Sequence, residues 1–122
     1  SQVEIRTSPI HGKGVFALCD IPKRTMVCLY EGVLAPSTSA SKSVYRVHVN
    51  SEFVLDGEPV ESLGKYINCP KGTGRKSNVK FGGFHFGHGG HHPHFPVFTK
   101  SAVKAGEELL VAYGRGYWSN SK

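Results

Sequence analysis

Tyr113 closes the stretch Gly106-Glu107-Glu108-Leu109-Leu110-Val111-Ala112-Tyr113-Gly114, which delivers one phenol hydroxyl at the end of an apolar run, just before a glycine turn. A hydroxyl so placed can orient a reacting group by hydrogen bonding, or it can be the satisfied polar tip of a core tyrosine. Near the other end, His11-Gly12-Lys13-Gly14-Val15-Phe16-Ala17 sets two glycines where the backbone can turn tightly and approach a ligand, or simply close a hairpin. Phe84 to Phe95 carries five of the seven histidines. A zinc site needs three or four ligands in tetrahedral array, and no cysteine or carboxylate lies within that tract. It therefore reads as a glycine-rich hairpin with solvent-facing histidines, and no metal ligand is assigned.

The elements that must hold these residues read as strands. Val3 to Arg6, Val15 to Leu18, Met26 to Leu34, Tyr45 to Val49, Phe53 to Leu55, Val97 to Thr99 and Leu109 to Ala112 carry β-rich composition between Gly, Pro, Ser and Asp turns. Glu58 to Ile67 is the one segment that predicts a short helix, with Pro59 suited to a first turn and Leu63, Tyr66 and Ile67 on one side. Ala35 to Ser43, small and polar, reads as a surface connection. With 122 residues the chain predicts one mostly β domain, burying roughly two-thirds of its unfolded surface. Its apolar runs fall far short of the roughly 20 residues that cross a bilayer, so no membrane association is expected. Cys19, Cys28 and Cys69 are odd in number and lack Cys-x-x-Cys spacing, which fits neither a disulfide framework nor a cysteine zinc site.

Charge is unevenly placed. Residues 1–70 hold seven Lys or Arg against seven Asp or Glu, whereas residues 71–122 hold eight against two, so the net +6 sits in the last part of the chain. Much of it falls in Lys71 to Lys80, a basic loop suited to touching phosphates or to remaining solvated. Gly72-x-Gly74 is followed by no apolar helix pattern, which argues against a phosphate-binding loop.

Taken in order, Gly12-Lys13-Gly14-Val15-Phe16-Ala17, Leu29-Tyr30-Glu31-Gly32-Val33, Tyr66-Ile67-Asn68 and Glu107-Glu108-Leu109-x-x-x-Tyr113-Gly114 resemble a SET domain of the protein lysine methyltransferases. The resemblance runs from about Val3 to Trp118. It implies small curled β-sheets with a knot-like C-terminal crossing, S-adenosylmethionine as cofactor, and a narrow channel joining the cofactor to a substrate lysine. By resemblance, Tyr113 is the catalytic tyrosine at the methyl-transfer point and Tyr30 lines the lysine channel. Lys13, Gly14, Val15 and Phe16 meet the methionine end of the cofactor, Asn68 bonds its amino-acid portion, Cys69 offers backbone to the adenine, and Trp118 stacks on it. Tyr45, Asp56 and Phe81 face the substrate, a basic peptide such as a histone tail. A phenylalanine at 81, where some relatives have tyrosine, leaves space that favours di- or trimethylation.

The chain departs from the family pattern after Asn68, where Cys69-Pro70 and a basic, Gly/His-rich insertion over 71–96 replace a histidine and a serine. It also shows no cysteine-rich zinc segment, like the compact viral SET proteins. The resemblance implies a nuclear location, with nucleosomal DNA met through 71–80. The alternative is a SET-like module that binds chromatin or nucleic acid without catalysis.

Overall fold

The computed structural model describes residues 2–38, 45–87 and 92–112. Strands β1 (Val3–Thr7) and β2 (Lys13–Ala17) form an antiparallel hairpin, with Val3 opposite Ala17 and Thr7 opposite Lys13. Period-two alternation turns Val15 and Ala17 into the core, joined by Val3 from β1. The chain then enters β3 (Met26–Glu31), and at Gly32 it changes sheet to become β4 (Val33–Pro36). The sequence predicts one strand across Met26 to Leu34. Gly32 splits it because a Cβ there would lie 2.4 Å from the Asp56 carbonyl oxygen, so only glycine lets the corner close.

Two three-stranded antiparallel sheets follow from that corner. One has the order β3-β8-β7, with β7 at Val79–Phe81 and β8 at His94–Thr99, and a bulge in β3 between Met26 and Cys28. The other has the order β4-β6-β5, with β5 at Arg46–His48 and β6 at Phe53–Asp56. Tyr30, Val47, Leu55, Val79 and Val97 come from both sheets to a shared core with Val15 and Leu109. Two of these strands begin inside the span the sequence assigns to the insertion: β7 was not anticipated, and β8 starts three residues before Val97. Pairing of β8 with β3 and of β7 with β8 supplies what local composition lacked, since Lys80 and Pro96 argue against strand.

The expected helix over Glu58 to Ile67 is replaced by a turn, irregular chain and a single 3₁₀ turn at Gly64–Tyr66. Asp56 accepts the Glu58 amide at 3.0 Å, holding the start of the segment as a turn. Gly64 packs so closely on β3 that a Cβ would sit 2.7 Å from the Leu29 carbonyl oxygen. Tertiary packing thus overrides the helical spacing of Leu63, Tyr66 and Ile67.

Leu109 to Ala112 forms no continuous ladder either. Residues 108–111 instead make single bridges to three distant segments, Phe16 to Glu108, Asn68 to Leu110 and Val79 to Val111. Leu109 donates to the Val15 carbonyl (2.7 Å), Val111 to that of Asn68 (3.0 Å), and Asn78 donates to that of Leu110 (2.9 Å). The segment is bonded to both ends of the 69–77 loop, which gives the knot-like crossing the sequence resemblance implies. The histidine tract is paired at its base, where His85 and His94 exchange backbone hydrogen bonds of 2.9 Å and stack their rings at 5.1 Å.

Candidate active site

The β1–β2 connection builds the first wall of a cleft. Ser8 donates its amide to the Gly12 carbonyl (2.8 Å), and Gly12 takes a φ of 45°, a left-handed conformation that glycine adopts without strain. This aims His11, Gly12 and Lys13 at a cleft of about 510 Å³ whose other walls are Tyr45, Lys65, Tyr66, Ile67, Asn68 and Cys69. Lys13 Nζ stands 5.6 Å from the Tyr66 ring centre, and Lys65 Nζ stands 4.9 and 5.6 Å from those of Tyr45 and Tyr66. Lys65 is nearly buried, donating to the Glu58 (3.1 Å) and Val60 (3.4 Å) carbonyls. The Tyr66 hydroxyl donates to Glu61, and that bond, with burial and the Glu61 charge behind it, raises the phenol above its usual range.

Behind the cleft wall lies a second centre. Glu108 is buried, and Ser8 Oγ donates to its two carboxylate oxygens at 3.0 and 2.8 Å. Asn68 Nδ2 lies 3.0 Å from Glu108 Oε2, 3.1 Å from the His11 carbonyl and 3.0 Å from that of Lys13. The Arg75 guanidinium, from the basic loop, stands 3.9 Å from Glu108 Oε1. Asn78 clamps the same segment, donating from Nδ2 to the Glu108 carbonyl (3.0 Å) and accepting the Leu110 amide at Oδ1 (2.8 Å). Hydrogen bonds to a charged acceptor are the stronger kind, so this cluster ties the glycine turn, Asn68 and the crossing segment together.

The anticipated residues divide. Lys13, Asn68, Cys69 and Tyr45 meet at one cleft. Gly14 packs over Glu108 and Val15 faces the core, while Phe16 lines a second cleft of about 550 Å³ with Arg75, Lys76, Asn78 and Glu108. Tyr30 is fully buried and its hydroxyl donates to the Tyr45 carbonyl. Phe81 meets Tyr30 edge-on at 5.5 Å and Phe95 at 5.5 Å, and Phe84 extends this aromatic cluster to 5.2 Å from Phe95. Asp56 ends β6 at the turn into Glu58. Tyr113 and Trp118 lie outside the described residues. Ser8, Lys65, Asn78 and Arg75 were not singled out from sequence. Glu108 had a signal within the Glu107-Glu108-Leu109 motif, and Arg75 and Asn78 within the basic 71–80 loop, but the partners of Glu108 are as far as 100 positions away.

The family model for the SET domain matches residues 12–114. A comparison with curated proteins finds no match. Among solved structures the chain is similar to a Plasmodium falciparum protein assigned as a histone methyltransferase, with a TM-score of 0.71 and 18% identity over 97% of each chain. It is also similar to KRYPTONITE, solved with mCHH DNA, an H3(1-15) peptide and SAH, with a TM-score of 0.72 and 20% identity over 92% of this chain. The match spans 23% of the KRYPTONITE chain. At these identities the likeness concerns the fold, and the family model supplies the assignment: the chain belongs to the SET-domain family.

Proposed function

We propose that the chain is an S-adenosylmethionine-dependent protein lysine N-methyltransferase acting on a basic peptide such as a histone tail. The observation that supports this best is the meeting of the Gly12–Lys13 turn with Asn68 and Cys69 at one cleft of about 510 Å³. Its size and mixed lining suit a nucleoside joined to an amino acid. Lys13 and Lys65 would hold the carboxylate end, Asn68 the ammonium, and the Tyr45 and Tyr66 rings the apolar remainder. When bound, S-adenosylmethionine supplies an electrophilic methyl group on a sulfonium.

The chain's own residues deal with the lysine. At its reference pKa near 10.4, fewer than about one lysine amine in a thousand is neutral at pH 7. A lysine channel opening against the aromatic cluster of Tyr30, Phe81, Phe84 and Phe95 would disfavour the ammonium form through desolvation, so the proton would leave to water without a dedicated base. Tyr30 keeps Tyr45 in place through its carbonyl, and Tyr113 is assigned the hydroxyl that aligns the amine for in-line displacement. Phe81 offers no hydroxyl beside Tyr30, which leaves room for a methylated amine and favours di- or trimethylation. An extended peptide would add along the β4-β6-β5 sheet near Tyr45 and Asp56. The basic 71–80 segment would face nucleosomal DNA, placing the protein in a nucleus.

Calorimetry with S-adenosylmethionine, paired with a methyl-transfer assay on histones, tests the proposal in the wild type and Tyr113→Phe. Both should bind the cofactor and only the wild type should transfer methyl groups. Absence of binding by the wild type refutes the enzyme and leaves a non-catalytic module, the reading favoured by Cys69-Pro70 after Asn68.

A further inference from the structure

We infer that Glu108 is a positioning residue of the methyl-donor cleft, turning the Asn68 side chain so that its Oδ1 is presented to the ammonium of the ligand's amino-acid end. This rests on the reading of the cleft as the methyl-donor site. A carboxylate withdrawn from water is costly unless it is fully paired, and the Glu108 side chain is 0% exposed. Its partners are not drawn from one element. Ser8 comes from the turn after β1, Asn68 from the cleft wall, and Arg75 from the basic loop. Gly14 completes the seat, since a Cβ there would lie 2.3 Å from Glu108 Oε2 and 3.0 Å from Ser8 Cβ. The glycine is required by this carboxylate.

The three groups facing Asn68 Nδ2 are all acceptors, two carbonyl oxygens and one carboxylate oxygen. Reversing the amide would set Oδ1 against them, so its orientation is fixed by chemistry. Oδ1 is left on the far side of the amide carbon, where a ligand donor can reach it. The carbonyls of His11 and Lys13 belong to the turn itself, as does Ser8, whereas Glu108 is held from outside the turn, by Asn78 on its backbone and by Arg75. It is therefore the member of the set that holds the turn and Asn68 in register with each other. Lys13 and Lys65 line the same cleft as Asn68, so cations and an acceptor in one cleft discriminate for a zwitterionic amino-acid end.

The test compares S-adenosylhomocysteine with methylthioadenosine, which lacks the amino-acid portion. Glu108→Met fills the same space without acceptors and should weaken S-adenosylhomocysteine roughly tenfold while changing methylthioadenosine by less than about twofold. Glu108→Gln, whose oxygen can still face Asn68 and whose amide can face Ser8, should restore most of that loss. Hydrogen exchange of the Asn68 side-chain amide in the ligand-free protein should accelerate in Glu108→Met and recover in Glu108→Gln. Glu108→Asp, which keeps the charge but withdraws it by one methylene, gives the same ligand-selective loss without an apolar substitution. Equal weakening of both ligands, a Met variant that binds like the wild type, or unaltered Asn68 exchange would each overturn the inference. If the wild type binds neither ligand, the methyl-donor reading fails, and the exchange comparison still decides whether Glu108 orients Asn68.

Discussion

Gly14→Ala is the substitution whose cost the structure sets most clearly. The new Cβ would stand 2.3 Å from Glu108 Oε2, 3.0 Å from its Cδ and 3.0 Å from Ser8 Cβ, so the carboxylate must move. Moving it breaks the Ser8 and Asn68 bonds, each worth about 1.5–3 kcal/mol because the acceptor is charged. Alanine returns about 0.4–1 kcal/mol by restricting the unfolded chain, leaving a net loss of about 2–5.6 kcal/mol. That is a large part of the roughly 5–15 kcal/mol that keeps a domain folded. Gly12→Ala is the control. Nothing lies within 4 Å of a Cβ at that position, and its φ of 45° costs only about 1–2 kcal/mol. Urea unfolding of both variants should show the midpoint fall far more for position 14, with the slope unchanged. Glu108→Ala removes the obstruction, so the double variant should be less destabilised than the two single losses added together. Strict additivity, or a Gly14→Ala loss below about 1 kcal/mol, would refute the seat described for Glu108.

The thiols give a second set of expectations. Burial pushes the Cys28 thiol from 9.0 up to about 12, so maleimide at neutral pH should label exposed Cys19 first, then Cys69, and leave Cys28 untouched. Because Cys69 lines the cleft, its labelling should slow when S-adenosylhomocysteine is bound. The unfolded chain ionises Cys28 above pH 9.0 while the folded chain holds its proton. Stability present below that pH should fall by about 1.4 kcal/mol per unit up to about 12, and Cys28→Ala should flatten that decline in alkaline urea titrations. Lys65→Met strips the donor from the Glu58 and Val60 carbonyls and should cost about 1–3 kcal/mol in urea unfolding. An unchanged midpoint would show that those carbonyls are satisfied without it.

The sequence disclosed what is local. β-rich composition over Val3 to Arg6, Val15 to Leu18 and Phe53 to Leu55 marks strands that are observed within a few residues of those bounds, because short apolar runs between turn residues write a strand into local composition. Glu58 to Ile67 misled because helical spacing of three apolar residues is also what a folded-back connection needs when Gly64 presses on β3. β7 has three residues and a charged middle, so only its pairing with β8 identifies it. At the site, glycine spacing gave the turn and the asparagine its cleft. The reason for Gly14 was hidden, since it depends on a carboxylate 94 positions later, at 108, and on a serine before the turn.

The crossing segment also dictates when the fold can be completed during synthesis. β1 and β2 lie next to each other in the chain and can pair as soon as they have been synthesised. Asn68 and Asn78 follow, but the residues they are bonded to, 108–111, are among the last of the described chain to be translated. A nascent chain halted before Glu108 holds a hairpin and a loop with nothing between them, its amide unanchored and its cleft open at the back. The contacts that tie the glycine turn, Asn68 and Asn78 together thus arrive late, when the ribosome has passed Val111 and that short stretch can settle between partners made long before it.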